Sequence, residues 1–232
     1  MTSKATYYLT PNATGTAFTG TGYTPDGTIP KGAIPCTQEQ AQNLQAYVPS
    51  NGEIVAAPSS VLLQQAQSAQ IALVTQGYNK ATDYVPVTIN GTTYQVDNTA
   101  GKQALNLSLA ITANAMMQSP VWVADTDYSA GSYCSVGGVI LFCSMAGKSG
   151  TSAPTPPTTF GTPVTDGTAA WELLGRKVYL QGGSFVYMTP QQIMSAFQQG
   201  ELYLHKMSDK LELLKSEIMA ATTVTEVQTF TF

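Results

Sequence analysis

The residue types that carry catalysis in most hydrolases are scarce in this sequence. His205 is the only histidine, and it directly follows Leu204 in a long stretch with helical periodicity. A Ser-His-Asp or Cys-His site would require this histidine as its general base. No glycine-rich phosphate loop precedes a helix. We therefore interpret His205 as a structural residue and predict that the protein is not an enzyme and binds no cofactor.

Carboxylates could bind a metal ion only at the Asp125-x-Asp127 sequence. Ca²⁺ takes about six to eight oxygen ligands, and two carboxylates fall far short of that number. Histidine and cysteine show no zinc-ligand spacing. We predict no metal site, and we expect Asp125 and Asp127 to shape the turn before Tyr128.

The cysteines leave one question of pairing open. The sequence contains Cys36, Cys134 and Cys143. A turn centred on Gly138-Val139 would place Cys134 opposite Cys143 and permit a disulfide, whereas one centred on Gly137-Gly138 would place them diagonally and prevent it. We favour free thiols, as expected for a protein assembled in a reducing cytosol.

An aromatic set in the middle of the chain has a potential binding role. Its members are Trp122, Tyr128, Tyr133, Phe142 and Trp171. Exposed rings can stack on the apolar faces of sugars, but a β module of about fifty residues needs most of these rings for its own core. Tyr128 and Trp171 each lie near a turn, so they are the predicted contacts for a glycan or receptor.

A long helix is predicted from Thr189 to about Ala221. Thr189, Pro190 and Gln192 form a capping box with proline at the first helical position. Apolar or small residues then alternate at steps of four and three, which is a heptad-like seam. The seam comprises Ile193, Phe197, Gly200, Leu204, Met207, Leu211, Leu214, Ile218 and Ala221. It could pack on the chain's own helices or form a coiled coil with other copies, and we expect Gly200 and the residues after it to lie against another helix.

Shorter elements are predicted on both sides of the aromatic set. We expect strands and turns from Met1 to Cys36, a short helix capped by Thr37, and a short strand after Asn51-Gly52. Ser60 can cap a helix that runs to about Gly77. Its predicted inner face is Leu62, Ala66, Ala69 and Leu73.

Asn90-Gly91 between alternating strands predicts a hairpin from Asp83 to Val96. The following segment, up to Met117, fits either a strand or a helix, and its length favours the helix. The supporting apolar face is Ala104, Leu107, Ile111 and Ala115. Gly182-Gly183 predicts a two-residue turn between strands. The C-terminal Val227, Phe230 and Phe232 are expected to form a short strand or arm.

These elements predict an α+β protein with three parts. Residues 1–58 form an N-terminal attachment region of strands, turns and a short helix. Residues 59–118 and 175–232 form a discontinuous helical domain with a hairpin. Residues 119–174, which are rich in glycine, proline, threonine and aromatics, form an inserted all-β module.

The composition narrows the classes of partner. Charged residues make up only 10% of the chain and the net charge is −4, so there is no basic footprint for nucleic acid. No apolar run is long enough to span a bilayer. The first residues lack an apolar signal core, so we expect the protein to remain in the compartment where it is made. A surface so poor in charge suits a protein that lives in an assembly.

Three stretches resemble a known phage pattern. VPVTINGTTYQVD and VYLQGGSFVYMTPQQIMSAF, with the helix that follows, are similar to a domain at the C-terminal ends of tailed-bacteriophage tail-fibre and tail-fibre-assembly proteins. YYLTPNATGTAF resembles the front of the same proteins. The segment from WVADTDYSAGSYC to DGTAAWEL is similar to a small β unit of phage tail and baseplate proteins, and more loosely to chitin-binding-type modules.

The resemblance implies a structural protein of the virion, either a tail-fibre or a fibre-attachment component. It would assemble in the host cytoplasm, dock on other tail or virion proteins and take part in host attachment. It implies a homo-oligomer, for which a trimer is the expected form. The alternatives are a tail-fibre assembly chaperone that leaves the finished particle, and a carbohydrate-binding module that recognises a host surface glycan.

Overall fold

The computed structural model describes residues 6–232 and has the predicted α+β class. The chain divides into two compact units: unit 1 is Met1–Val74 with Leu213–Phe232, and unit 2 is Thr75–Glu212. These units do not divide at the predicted boundaries of residues 58, 118 and 174. The three-part division stays a prediction, and its first five residues lie outside the described part of the chain.

Unit 1 begins with small antiparallel sheets. Its elements are β1 (Thr6–Pro11), β2 (Phe18–Thr24), β3 (Ile34–Cys36), α1 (Gln38–Gln42), β4 (Tyr47–Ser50) and β5 (Glu53–Ala56). The first three strands form one sheet in the order β2-β1-β3, and β4 pairs with β5. The predicted capping box at Thr37 is confirmed by its reciprocal bonds with Gln40. Asn51 and Gly52 both have positive φ, as the tight turn between β4 and β5 requires.

Helix α2 (Ser59–Thr82) runs five residues beyond its predicted end, and its predicted apolar face is only partly buried, since Leu62 and Ala66 are half-buried and Ala69 is exposed. Leu73 is mostly exposed, whereas Gln67 and Val74 are buried. The Gln67 amide Nε2 donates to the carbonyl oxygens of Met219 and Ala221, each at 3.2 Å. Carbonyls at a helix end have no partner within the helix. Gln67 supplies the donor that these carbonyls need, and the apolar pattern did not predict its burial.

The C-terminal segment forms a short helix, α5 (Val224–Val227), so the predicted strand or arm is wrong. Thr223 Oγ1 accepts the backbone N–H of Glu226 at 3.2 Å, and the Glu226 carboxylate accepts the N–H of Thr222 at 2.9 Å. This is a capping arrangement. Val227 is fully buried, and Gln70 Nε2 donates to the Phe230 carbonyl at 2.6 Å.

Unit 2 opens with the predicted hairpin, which is confirmed. Strands β6 (Tyr84–Ile89) and β7 (Thr92–Asp97) pair in register around Asn90-Gly91, both with positive φ. Val85, Val87 and Val96 are buried in the main core of this unit.

The predicted helix that follows is also confirmed, as α3 (Ala100–Met116). Its supporting apolar face is exposed, however: Leu107 retains 51% and Ile111 62% of its accessible surface. The helix instead presents Leu109 and Ala113 to the core. The small side chains of Ala110 and Ala113 allow the helix backbone to lie close to the core, and the larger Leu107 and Ile111 are on the exposed side.

The segment predicted as an all-β module, residues 119–174, contains strands joined by turns and loops, and no helix. The strands are β8 (Asp127–Tyr128), β9 (Tyr133–Val136), β10 (Val139–Met145), β11 (Gly147–Lys148), β12 (Val164–Asp166) and β13 (Ala169–Leu173). Four of them form a sheet in the order β12-β13-β10-β9, and β8 pairs with β11. The inner face of the sheet is buried and comprises Cys134, Leu141, Cys143 and Trp171.

Strands β14 (Arg176–Tyr179) and β15 (Phe185–Met188) follow as a hairpin. Its loop is longer than the predicted two-residue turn, because Tyr179 rather than Gln181 is the last paired residue before the glycines. Val178 and Met188 enter the same core as Val85 and Val87.

The long helix is confirmed as α4 (Pro190–Ala220), with the Thr189–Gln192 capping box formed. Every seam residue is buried or half-buried. Ile193 belongs to the unit 2 core. The partner predicted for Gly200 is wrong: a Cβ added there would lie 3.4 Å from Cγ1 of Val85, which is a strand side chain. Whether the seam also contacts other copies stays a prediction.

Candidate functional site

A buried carboxylate organises the β module. Asp166 Oδ2 accepts the indole N–H of Trp122 at 2.7 Å and that of Trp171 at 2.9 Å. Its Oδ1 accepts the backbone N–H of Gly150 at 2.7 Å. Hydrogen bonds to a charged acceptor are roughly twice as strong as neutral ones. Asp166, almost fully buried, therefore ties both tryptophans and one loop together, and its bonds are internal to the fold.

The two residues predicted to contact a glycan take part in this internal network. Trp171 is fully buried, so its predicted contact role is wrong and it is a core residue. Tyr128 packs edge-on against Trp171 with ring centroids 4.8 Å apart. The Tyr128 hydroxyl accepts the backbone N–H of Val123 at 2.8 Å. Both rings belong to the hydrophobic core of the module, which has few other large residues.

The cysteines follow the diagonal alternative. Val136 pairs with Val139, so the turn is centred on Gly137-Gly138 and Cys134 lies opposite Leu141. Cys36, Cys134 and Cys143 are all free. Burial, with smaller contributions from the charges of Cys143 and Asp166, raises the pKa of the Cys134 thiol to about 12. Such a thiol is a poor nucleophile, since reactivity requires the thiolate.

No metal-binding cluster is found within residues 6–232. His205 is exposed on α4. Among these residues, no group of three or more histidine, cysteine, aspartate or glutamate side chains could hold a metal ion. Asp125 has a φ of 52° in the turn before β8, and its carboxylate lies 3.5 Å from the Lys148 amine. That geometry places Asp125 in the turn, as the sequence predicted, but the prediction is wrong for Asp127, which lies in strand β8.

The outer face of the module sheet carries an open groove of about 410 Å³. Tyr133, Phe142 and Glu172 form a row across it, because Phe142 pairs with Tyr133 on one side and with Glu172 on the other. Phe160 and Tyr187 form a second aromatic pair, with ring centroids 5.6 Å apart. The groove is lined by Tyr133, Phe142, Phe160, Glu172, Arg176 and Tyr187, among others. Except for Tyr133 and Phe142, these residues were absent from the sequence-predicted set, because they come from separate strands and loops.

A second groove, of about 480 Å³, lies among the helices and hairpins of unit 2. Its floor is formed by the valines of β6, β7 and β14. Four predicted seam residues line it, namely Ile193, Phe197, Gly200 and Leu204, together with Leu107 of α3. The structure thus brings the first half of the seam to an open, mostly apolar groove.

No family model, curated protein or solved structure matches this chain in our comparisons. Within the described part of the chain, no helix combines the length and the apolar character needed to cross a bilayer.

Proposed function

We propose that this chain is a non-enzymatic structural component of a phage-type virion, a tail-fibre or fibre-attachment protein that acts by assembling with other copies. One observation supports assembly above the others: α3 carries an exposed apolar stripe of Ala104, Leu107, Ile111 and Ala115. Leu107 and Ile111 are 51% and 62% exposed, so burial of their remaining surface against a partner would contribute about 1–1.5 kcal/mol each. Exposed apolar patches of this kind mark interaction surfaces.

A second copy is the occupant that the chemistry of the stripe favours. The only charged residue of α3 is Lys102, and its amine lies 3.9 Å from the centre of the Tyr179 ring. The stripe itself is uncharged, and its alanines permit the close approach of another helix. A symmetric contact between identical uncharged stripes brings no like charges together.

Oligomeric mass tests this proposal. We expect light scattering after gel filtration to give a multiple of the 24.5 kDa chain mass. Leu107→Glu and Ile111→Glu each place a charge in the stripe, so each should lower the mass towards that of one chain. Ser208→Glu adds the same charge at an exposed position of α4 and serves as the control. A monomeric wild-type chain, or a mass that neither stripe variant changes, would reject self-assembly through α3.

The virion assignment has its own measurement. We expect mass spectrometry of gradient-purified particles to detect this chain in stoichiometric amounts with other tail proteins. A chain that is absent from finished particles but bound to immature fibres would instead be an assembly chaperone.

A further inference from the structure

We propose that the outer groove of the module sheet binds a neutral oligosaccharide, with pyranose rings stacked on its aromatic side chains. This inference is independent of the proposed assembly role. It also differs from the sequence-predicted site, because Tyr128 and Trp171 lie in the interior of the same module. The groove volume of about 410 Å³ lies within the usual range for small-ligand sites, roughly 300–1,000 Å³.

The aromatic side chains of the groove pack against the backbone and against one another. A Cβ at Gly175 would lie 2.5 Å from Cδ1 of Phe160, so the Phe160 ring rests directly against the Gly175 backbone. Tyr187 lies beside Phe160 with an interplanar angle of 38°, and Phe185 meets Tyr187 at 90°. Even so, Tyr187 keeps 43% of its surface exposed. A ring that packs against two neighbouring rings and is still partly exposed can present its open face to the apolar C–H face of a sugar.

The polar groups of the groove match sugar hydroxyls. Among residues 6–232, neither the Glu172 carboxylate nor the Arg176 guanidinium has a hydrogen-bond or ion-pair partner, so both are available to a ligand. A carboxylate accepts several hydrogen bonds and a guanidinium donates several. Together they can pair with neighbouring hydroxyls, each of which both donates and accepts.

The balance of charge favours a neutral sugar. The groove lining contains one carboxylate and one guanidinium. The nearby Lys177 amine lies 4.4 Å from the centre of the Phe185 ring and 5.9 Å from that of the Tyr187 ring, and Lys177 is not among the residues that line the groove. A phosphate or a run of acidic sugars would need a net positive lining. An apolar peptide would leave Glu172 and Arg176 desolvated and unpaired, which is costly.

The test uses the full-length chain on an array of neutral oligosaccharides that includes maltohexaose, cellohexaose, mannohexaose and chitohexaose, followed by titration of the hits. We expect the chain to bind at least one of these oligosaccharides with a Kd below about 1 mM. Tyr187→Ala should weaken binding by about three- to tenfold, the range for loss of one aromatic contact. Glu172→Gln should also weaken binding and keeps the shape of the side chain, so it tests the groove even if Tyr187→Ala fails to fold.

Tyr23→Ala is the matched control, because Tyr23 is an exposed tyrosine of unit 1 and should leave sugar binding unchanged. Absence of binding to every probe would overturn the proposal. Equal binding by wild type, Tyr187→Ala and Glu172→Gln would overturn it too, since the site would then lie elsewhere. A change of oligomeric mass in Tyr187→Ala without any sugar binding would show that the groove is an interface between copies.

Discussion

At the scale of single residues, Asp166 combines a buried carboxylate with three accepted hydrogen bonds. Three donors converge on its two oxygens, and two of them belong to the only tryptophans of the chain. A buried donor left without its acceptor costs about 1–3 kcal/mol. The carboxylate therefore helps to position both indoles and the loop at Gly150.

Asp166→Asn should lower the free energy of unfolding of the module by about 1–3 kcal/mol. An asparagine amide replaces one accepting oxygen with a donor, so either the indoles or the Gly150 N–H loses its partner. Urea unfolding followed by tryptophan fluorescence measures the change, because both tryptophans lie in the module. Asp127→Asn alters an exposed aspartate of the same module and should leave the curve unchanged. Coincident curves for Asp166→Asn and wild type would contradict this role.

The buried thiol of Cys134 predicts a dependence of stability on pH. Its pKa is raised from 9.0 to about 12 in the folded chain. The contribution of this thiol to the free energy of unfolding is complete below pH 9 and declines as the pH rises towards 12. In that range the thiol of the unfolded chain loses its proton while the thiol of the folded chain keeps it. The slope from this group approaches about 1.4 kcal/mol per pH unit. Cys134→Ala should flatten the fall of unfolding free energy above pH 9, and parallel curves for the two proteins would refute this explanation.

At the scale of elements, the sequence predicts helix caps and hairpin turns better than it predicts which face of a helix is buried. The capping box at Thr189 predicted the start of α4, and Asn90-Gly91 predicted the hairpin of β6 and β7. Both signals are local, since they depend on backbone geometry within four residues. The apolar patterns of α2 and α3 do not mark the buried faces, because the burial of Gln67 and Ala113 depends on the residues that they meet across the fold.

Two leucines of α4 test which side of the helix is buried. Leu211 is 6% exposed and belongs to the seam, whereas Leu213, two residues later, is 59% exposed. Leu211→Asp should reduce the free energy of unfolding by at least about 3 kcal/mol, since it loses apolar burial and adds a charge to an apolar site. Leu213→Asp should change it by less than about 0.5 kcal/mol. Thermal melts followed by circular dichroism compare them, and equal losses would contradict the assigned face.

At the scale of the whole molecule, the low charge of the chain bears on the proposed association of copies. Only 10% of its residues are charged, and the exposed stripe of α3 has none. Association through such a surface depends on apolar burial, and salt screens charges without weakening that burial.

We therefore expect the oligomeric mass to be the same at low salt and at about 1 M NaCl. Light scattering at the two salt concentrations, with Leu107→Glu alongside as the dissociated reference, measures this. Dissociation of the wild-type chain at high salt would show that ion pairs, and not the α3 stripe, hold the copies together.

The sequence by itself determined the α+β class, the hairpin, the extents of α3 and α4 and the all-strand character of the module, because caps, turns and periodicity act over a few residues. Tertiary structure alone decided that Trp171 belongs in the interior beside Asp166 and that Leu107 and Ile111 remain outside. It alone also brought Phe160, Glu172 and Tyr187 to one groove. Burial depends on partners distant in the chain, and spacing along the chain carries no record of which partners will meet.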